Sequence, residues 1–575
     1  HLKVAHHAVF KLDDNKLAIL RDIFFNRPLF TLQGPPGTGK TETVRALAKL
    51  IFADDPMCQV LLTSRENSTV TDLLRKLRKE SENWSERPLF HAFGKIGDGK
   101  QKRQLKDVLD VARRQVFEVC ACLGESHSPL HSVLQAWQQR LGSLCGSDPE
   151  LRDREALENL LERSANFIFS TASDKVLSQQ VNEGCMYDWA IVEEAGRTPC
   201  YDMVLPMLAA QRWVLLGDQN QLSPFQAKEF RRMLENWRKS TELLREIDKL
   251  DASHKYISLE FINAAEERGD DRMSHFFKKD WIEAFDFLYR RIDPQEPVRE
   301  RANGETAACL NTVYRLPPIV TELLRRVFYA GATPNQDTLK PADITRDPEC
   351  RHAPSPLKSS PVAEPACLAG CNCVWVTTPT SENYIQDSNV GRSNRKEAEL
   401  ILRILESLRM TDSQRKPSLV ILTPYRNQVH ELKQILEPEE TSRLLGEKFR
   451  PVVLNRKGHS SWVSTVDSFQ GGEAEIVILS LVRNTSNLQA ATPNTIGFIR
   501  DPQRANVMLS RSQRLLIIVG SYGYFELCYS ADSNNADLCK FLNFLSAFGE
   551  MASSDPNTSP YIRFVTPSNL FGSTF

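Results

Sequence analysis

"GPPGTGKT", residues 34–41, fits the pattern G-x-x-x-x-G-K-[ST]. Before it stands "PLFTLQ" (28–33), an apolar run of strand length. After it comes "TETVRALAKLIF" (41–52), which has a helical period. A glycine-rich turn between a strand and a helix is the context this pattern needs to hold phosphate. Gly34, Gly37 and Gly39 let backbone N–H groups curl around phosphate oxygens without Cβ clashes, and Pro35, Pro36 and Thr38 complete the loop. Lys40 is placed to reach the β- and γ-phosphates. The Thr41 hydroxyl is placed to ligate Mg²⁺, and the helix N-terminus adds partial positive charge.

Further apolar runs share the length and lack of alternation of "PLFTLQ". The first half has "QVLLTS" (59–64), "NFIFST" (166–171), "WAIVEE" (189–194) and "RWVLLGD" (212–218). The second half has "CVWVTT" (373–378), "SLVILTPY" (418–425), "WVSTVDS" (462–468), "EIVILSLV" (475–482) and "RLLIIVG" (514–520). Unalternating runs are strands buried on both faces, and helical segments between them call for parallel sheets. Two such sets predict two α/β domains in tandem.

"AIVEEAGR" (190–197) ends one of these strands with two adjacent carboxylates. Unpaired carboxylates beside a core are costly, so a cationic partner is expected. The phosphate loop supplies one: Glu193 facing Mg²⁺, with Glu194 orienting the attacking water. Neighbours in a strand point to opposite sides, but a turn at the strand end brings both to one centre. Read as structure alone, the pair is a cluster of carboxylates at a helix start.

The sequence divides as follows. Residues 1–79 and 165–225 form the two parts of the first domain. They are interrupted by a helical insert at 80–164, with a Lys/Arg-rich run at 95–114. A second helical, highly charged insert covers 226–305. Residues 306–550 form the second domain, with a proline-rich surface loop at 333–366, and 551–575 read as a loosely held tail. The inserts are candidate docking surfaces for protein partners.

Composition sets the outer bounds. A chain of 575 residues, 41% hydrophobic and 25% charged, is ordinary globular protein of more than one domain. The net charge of −1 means that a nucleic-acid site would be a local basic surface. No apolar run approaches transmembrane length, so no membrane role is expected. The start has no initiator Met and no signal-peptide layout, as in a chain cut from something longer. The 13 scattered cysteines suit a reducing compartment, cytoplasm or nucleus. Cys350, Cys367, Cys371 and Cys373, with His352, lack standard zinc spacing and read as ordinary thiols. "VCAC" (Cys120, Cys122) reads as core packing.

Taken together, the motifs resemble the superfamily 1 helicases, subgroup 1B, which includes the nonsense-mediated-decay RNA helicase. "GPPGTGKT" resembles motif I, "TSRENSTVTDLLRKL" (63–77) motif Ia, and "VEEAGR" (192–197) motif II. "LLGDQNQLSP" (215–224) is similar to motif III, "VYRLPP" (313–318) to motif IV and "TVDSFQGGEAEIVILSLVR" (465–483) to motif V. "GFIRDPQRANVMLSRSQRLLIIVG" (497–520) is similar to motif VI. The resemblance implies two tandem RecA-like domains of the P-loop NTPase fold with helical insertions. It implies an ATP- and Mg²⁺-dependent helicase or translocase on single-stranded RNA or DNA, moving 5′ to 3′. It places Gln221 as γ-phosphate sensor, Tyr314 near the adenine, Arg315 on the γ-phosphate, Arg511 as arginine finger and Glu473 at the nucleotide.

This chain departs from the family at four positions. Glu193 stands for the usual Asp and Arg197 for the usual Gln of motif II. Asn15 stands for the adenine-reading Gln, and Arg65 for the usual Pro of motif Ia. Only about a dozen residues precede the adenine-reading motif, too few for the β-barrel found there in the decay helicase. Ser64, Asn67 and Thr171 in the first domain, and Ser464, Thr465 and Asp467 in the second, fall at strand ends expected to face a nucleic-acid backbone. Each also reads as a simple turn or cap residue. The basic run at 95–114 either lines the strand's path or is a solvated face. The rival function is a nucleic-acid-stimulated ATPase acting as a clamp or scaffold. A fused metal-dependent nuclease finds no carboxylate cluster outside the motifs.

Overall fold

The computed structural model describes residues 12–25, 28–81, 88–92, 165–184, 186–224, 306–329, 339–341, 360–380, 386–388, 391–412, 414–453, 460–469, 471–484, 495–532, 539–554 and 560–572, with a few isolated positions between them. Two sheets organise these residues. The first is β1 (Leu29–Gln33), β2 (Val60–Ser64), β3 (Phe90–Ala92), β4 (Phe167–Thr171), β5 (Tyr187–Glu193), β6 (Ala210–Gly217) and β7 (Ala307–Cys309). Their spatial order is β3-β4-β2-β5-β6-β1-β7, and every pairing is parallel. Burial runs unbroken through β2 and nearly so through β1 and β5. That pattern follows from helices covering both faces of a parallel sheet.

The second sheet holds β8 (Cys373–Thr377), β9 (Ser418–Thr423), β10 (Arg450–Val453), β11 (Ser460–Ser461), β12 (Val463–Thr465), β13 (Ala474–Ser480), β14 (Ser512–Gly520) and β15 (Ile562–Val565). Its order is β11-β10-β9-β13-β14-β8-β15, with β12 also pairing β9. All its pairings are parallel except that of β10 with β11. Every residue of β13 is buried. Separate hydrophobic cores lie against the two sheets, one built on Phe30, Leu62 and Ile191, another on Trp375, Leu479 and Ile518. The two tandem parallel-sheet domains read from the sequence are present.

Several boundaries differ from the sequence reading. Residues 90–92, expected inside a helical insert, form an edge strand of the first sheet beside β4, where Phe90 stacks on Phe167. Residues 307–309, expected to open the second domain, instead pair with β1 at Thr31–Gln33. A three-residue strand is too short to show a period, which is why both escaped detection. The stretch 551–575 is not a loose tail where it is described. Residues 551–554 finish a helix, Lys540–Ser554, and β15 pairs in parallel with β8. Thr566 then caps a last short helix through a reciprocal capping box with Asn569. Parts of the proline-rich stretch pair too: Lys340–Pro341 with Thr312–Val313, and Val362–Glu364 with Arg409–Met410. The basic run at 95–114, "VCAC", Cys350, His352 and nearly all of 226–305 lie outside the described residues.

Candidate active site

The phosphate loop leaves β1 at Gln33 and enters helix α1 (Lys40–Asp54). Gly37 and Gly39 have φ of 75° and 86°, backbone that only glycine adopts without strain. The Gly37 carbonyl accepts hydrogen bonds from the backbone N–H groups of Tyr314 (2.8 Å) and Arg315 (3.3 Å). A Cβ on Gly37 would lie 2.7 Å from that of Arg315, so the glycine also permits this close approach. The loop and the "VYRLPP" segment are thereby one unit.

The carboxylates come from β5, two strands from β1 with β6 between. Glu193 is the last residue of β5. Glu194 follows with φ 56°, a left-handed conformation costly for a side chain of this size. That reversal brings both acids to the loop: Lys40 Nζ lies 3.2 Å from Glu194 Oε1, and the Thr41 hydroxyl donates to Glu193 Oε1 at 3.3 Å. The turn after Glu194 packs tightly, since a Cβ on Gly217 at the end of β6 would meet the Gly196 backbone nitrogen at 2.5 Å.

The two acids differ electrically. Burial pushes Glu193 up, the Glu194 charge adds to this, and it reaches about 7. Burial also pushes Glu194 up, but Lys40, Arg197 and Arg511 together outweigh it, and Glu194 ends below the usual carboxylate range. Glu194 is therefore the ionised acid of the pair. Lys40, Lys76 and the Thr41 hydroxyl draw Glu193 down without offsetting burial and the Glu194 charge. The Glu193 carboxylate and the Thr41 hydroxyl are hard oxygen donors, a set that fits Mg²⁺.

The second domain reaches the same place. A cleft of about 710 Å³ is lined by the phosphate loop, Glu193, Glu194 and Gln221 on one side and by Gly472, Glu473 and Arg511 on the other. Arg511 is buried, 2% exposed; its Nε donates to the Val507 carbonyl (2.8 Å) and its Nη2 to Gln221 Oε1 (3.4 Å). Gln221 in turn donates to Asp218 (2.8 Å). Arg315 forms an ion pair with Glu473 across the cleft. Tyr314 donates to Asp13, which also binds Lys16, and the Lys16 ammonium sits 4.3 Å over the Tyr314 ring. Asn15 accepts from the Asn311 backbone N–H at 3.4 Å beside this group.

Sequence reasoning missed the polar joint behind Gln221. Asp218 accepts from Gln33, Gln221 and Tyr329, and Tyr329 accepts from Asn506 of helix α2 (Pro502–Leu509). From the same helix Gln503 donates to the Gln219 carbonyl (2.9 Å), and its side-chain oxygen accepts from Ser223. The signal was available in "RDPQRAN", where polar residues open a helix just before the arginine finger.

The positions expected to face a nucleic acid are divided. Asn67, Thr171 and Thr465 are half-buried at strand or helix ends. Asp467 is exposed, but Arg504 holds its carboxylate in a two-point pair at 2.8 and 3.0 Å. Ser64 does not reach a strand-facing surface. It is 1% exposed, its hydroxyl has no partner, and it sits in register between Thr171 and Glu193 at the centre of the sheet. Ser464 is buried as well. Among the described residues no group of His, Cys, Asp and Glu could hold a zinc-like metal, and Cys367, Cys371 and Cys373 are free thiols.

Two family profiles, each described as an AAA domain, match residues 130–229 and 296–523, together more than half of the chain. The DNA polymerase alpha-associated DNA helicase A of Saccharomyces cerevisiae is 22% identical over 533 residues, 90% of this chain and 65% of that protein. The regulator of nonsense transcripts 1 homolog of Neurospora crassa is 22% identical over 527 residues, 89% of this chain and 37% of that protein. This chain is a superfamily 1 helicase related to the nonsense-mediated-decay group. Helicase sen1 of Schizosaccharomyces pombe is 21% identical, over 86% of this chain and 28% of its own length. This helicase chain thus spans less than two thirds of each of these relatives. Among solved structures, the PRRSV helicase aligns over 88% of this chain and 54% of its own, at 13% identity and a TM-score of 0.31.

Proposed function

We propose that this chain hydrolyses ATP between its two domains and uses the resulting closure and opening to move 5′ to 3′ along single-stranded RNA or DNA and separate duplexes. One observation carries this reading. Arg511 of the second domain reaches Gln221 of the first inside the cleft that holds Lys40 and Glu194. A site completed from two domains is one whose occupancy is coupled to domain motion.

Each residue then has a task. The amides of Gly34 to Thr41 cradle the phosphates, Lys40 neutralises the β- and γ-oxygens, and Glu194, ionised, orients and polarises the attacking water. Gln221 senses the γ-phosphate and passes its state to Asp218 and Arg511. Arg315 and Arg511 stabilise charge that develops in transfer, a contribution of roughly 10³–10⁵ in rate for an arginine finger. Glu193 and Thr41 would hold Mg²⁺, which supplies neutralisation of the phosphate oxygens when bound. Tyr314, with Asp13 and Lys16 behind it, and Asn15 would flank the adenine, and Glu473 would meet the nucleotide once Arg315 turns to phosphate. Asn67, Thr171, Thr465 and Asp467 would contact the strand backbone. The described cysteines are free thiols, which supports work in cytoplasm or nucleus. The 80–164 and 226–305 inserts would serve protein partners.

The test is ATP turnover with and without poly-ribo and poly-deoxyribo strands, followed by displacement from duplexes carrying either a 5′ or a 3′ tail. Stimulation by at least one polymer and displacement from the 5′-tailed duplex are expected. Strand affinity should fall with salt, by about 0.7 log units per tenfold change in salt for each neutralised phosphate. Turnover indifferent to both polymers would refute the reading. Stimulation without displacement would favour a clamp.

A further inference from the structure

The two departures flanking the catalytic carboxylates, Arg197 and Arg65, meet in space. Arg197 closes the short turn Ala195–Arg197 that follows Glu194, and its backbone N–H bonds to the Glu194 carbonyl at 2.9 Å. Its guanidinium donates to Glu66 Oε1 at 2.6 Å, and Arg65 donates to the Arg197 carbonyl at 3.3 Å. Residues 65 and 66 form the turn between β2 and the helix Asn67–Ser81, so a pair separated by 131 residues ties the end of β5 to the start of that helix. Arg197 and Glu66 line the same cleft as Lys40, Glu194, Arg315 and Arg511.

We propose that Arg197 is a third arginine for the γ-phosphate, parked on Glu66 until a strand engages the Glu66–Asn67 turn. The exposures set the direction. The Arg197 side chain is 18% exposed and Glu66 43%, so the carboxylate is the partner open to solvent and to an arriving backbone phosphate. A strand phosphate beside Asn67 repels Glu66, weakens its hold, and frees Arg197 to turn, within the cleft it shares with Glu194, toward the bound nucleotide. A neutral glutamine at 197 needs no such counter-charge. An arginine there without Glu66 would favour the charged transition state at all times. The ion pair therefore restrains strand-free hydrolysis. The strand-engaged half of this inference rests on the function proposed above; the restraint does not.

The experiment uses the full chain and measures kcat at saturating Mg-ATP. Without any strand, Glu66→Gln should raise kcat about two- to fivefold, the range a partly exposed ion pair can hold back. In the Arg197→Gln background the same change should do nothing. With strand, Arg197→Gln should lower kcat and spare KM, Arg197→Lys should recover part of the loss, and the stimulation ratio of Glu66→Gln should shrink by its strand-free gain. Glu66→Ala serves as a second release variant, and thermal melts confirm the fold. An unchanged strand-free kcat in both Glu66 variants, or a gain that persists with Arg197→Gln, overturns the restraint. An undiminished stimulation ratio overturns the link to the strand. A wild type that no strand stimulates would refute the proposed function while the strand-free comparison still decides the restraint.

Discussion

Replacing Arg511 tests the two-domain site most directly. The guanidinium is buried and bonded to Val507, Gln221 and Gly472, so it is pre-positioned. Arg511→Ala removes charge that acts mainly on the transition state, and turnover should fall by roughly 10³–10⁵ with nucleotide affinity much less affected. Arg511→Lys gives a sharper reading. Burial, with Arg315 nearby, presses Arg511 down to about 10, so it stays cationic at any ordinary assay pH. A lysine starts at about 10.4, and the same burial beside Arg315 pushes it down from there, closer to neutral pH than Arg511. It is charged below its displaced value and loses its proton as pH rises through it. The ratio of variant to wild-type kcat, followed from about pH 6.5 to 9, should therefore hold at the acid end and fall toward the alkaline end. Taking the ratio cancels the titration of Glu193, which both proteins share. The assay is kcat at saturating Mg-ATP and strand across that range, with melts to confirm folding. A ratio flat in pH, or an alanine variant within about tenfold of wild type, would show that Arg511 does not act as a buried cation on the reaction.

Lys40→Ala should abolish turnover and weaken nucleotide binding without unfolding the chain, because the loop amides remain; wild-type hydrolysis would remove the phosphate-loop assignment. Glu194→Gln should retain ATP and strand without turnover, whereas Glu193→Gln should raise the magnesium requirement; separate Mg²⁺ titrations of binding and turnover would expose a reversed assignment. Glu397 is another buried acid, pushed up to about 8 by burial while accepting from Ser480 (2.5 Å) and the Val482 N–H (3.1 Å). Its folded value lies above its unfolded one, so the folded state binds the extra proton between about 4.5 and 8 and stability falls as pH rises through that window. Glu397→Gln should flatten Tm against pH relative to wild type from about pH 5 to 8, and parallel slopes would contradict the burial argument.

The phosphate loop was legible in the sequence because its constraint is local. Positive φ at Gly37 and Gly39 demands glycine, and the lysine and threonine follow at fixed offsets. The central strands were legible because burial on both faces leaves a run with no polar interruption. The failures share an opposite cause. Strands of three residues at 90–92 and 307–309 carry too little pattern to show a period. The edge strand Ile562–Val565 shows no alternation either, because its two end residues are buried while Arg563 and Phe564 between them are not. Ser64 departs from the expectation that a hydroxyl at a strand end faces solvent, because β2 is buried along its whole length and its last residue is 1% exposed.

Departures from the family pattern were legible one at a time, but not their compensation. Arg197 beside two catalytic acids looks like an intrusive charge, and Arg65 in place of proline looks like an unrelated loosening of a turn. In space Arg65 holds the carbonyl of Arg197 while its neighbour Glu66 holds the guanidinium. A single substitution to arginine at 197 would have left an unbalanced cation at a site whose rate depends on when positive charge arrives. With Glu66 placed on the adjoining loop, the same cation becomes conditional on the state of that loop. Sequence spacing carries no trace of this, because the pairing is set by β2 and β5 lying side by side with Ser64 opposite Glu193. Neighbouring strands whose carboxyl ends stand level bring their following turns together, so the order of strands in the sheet, more than the order of residues in the chain, decides which charges of this site answer to one another.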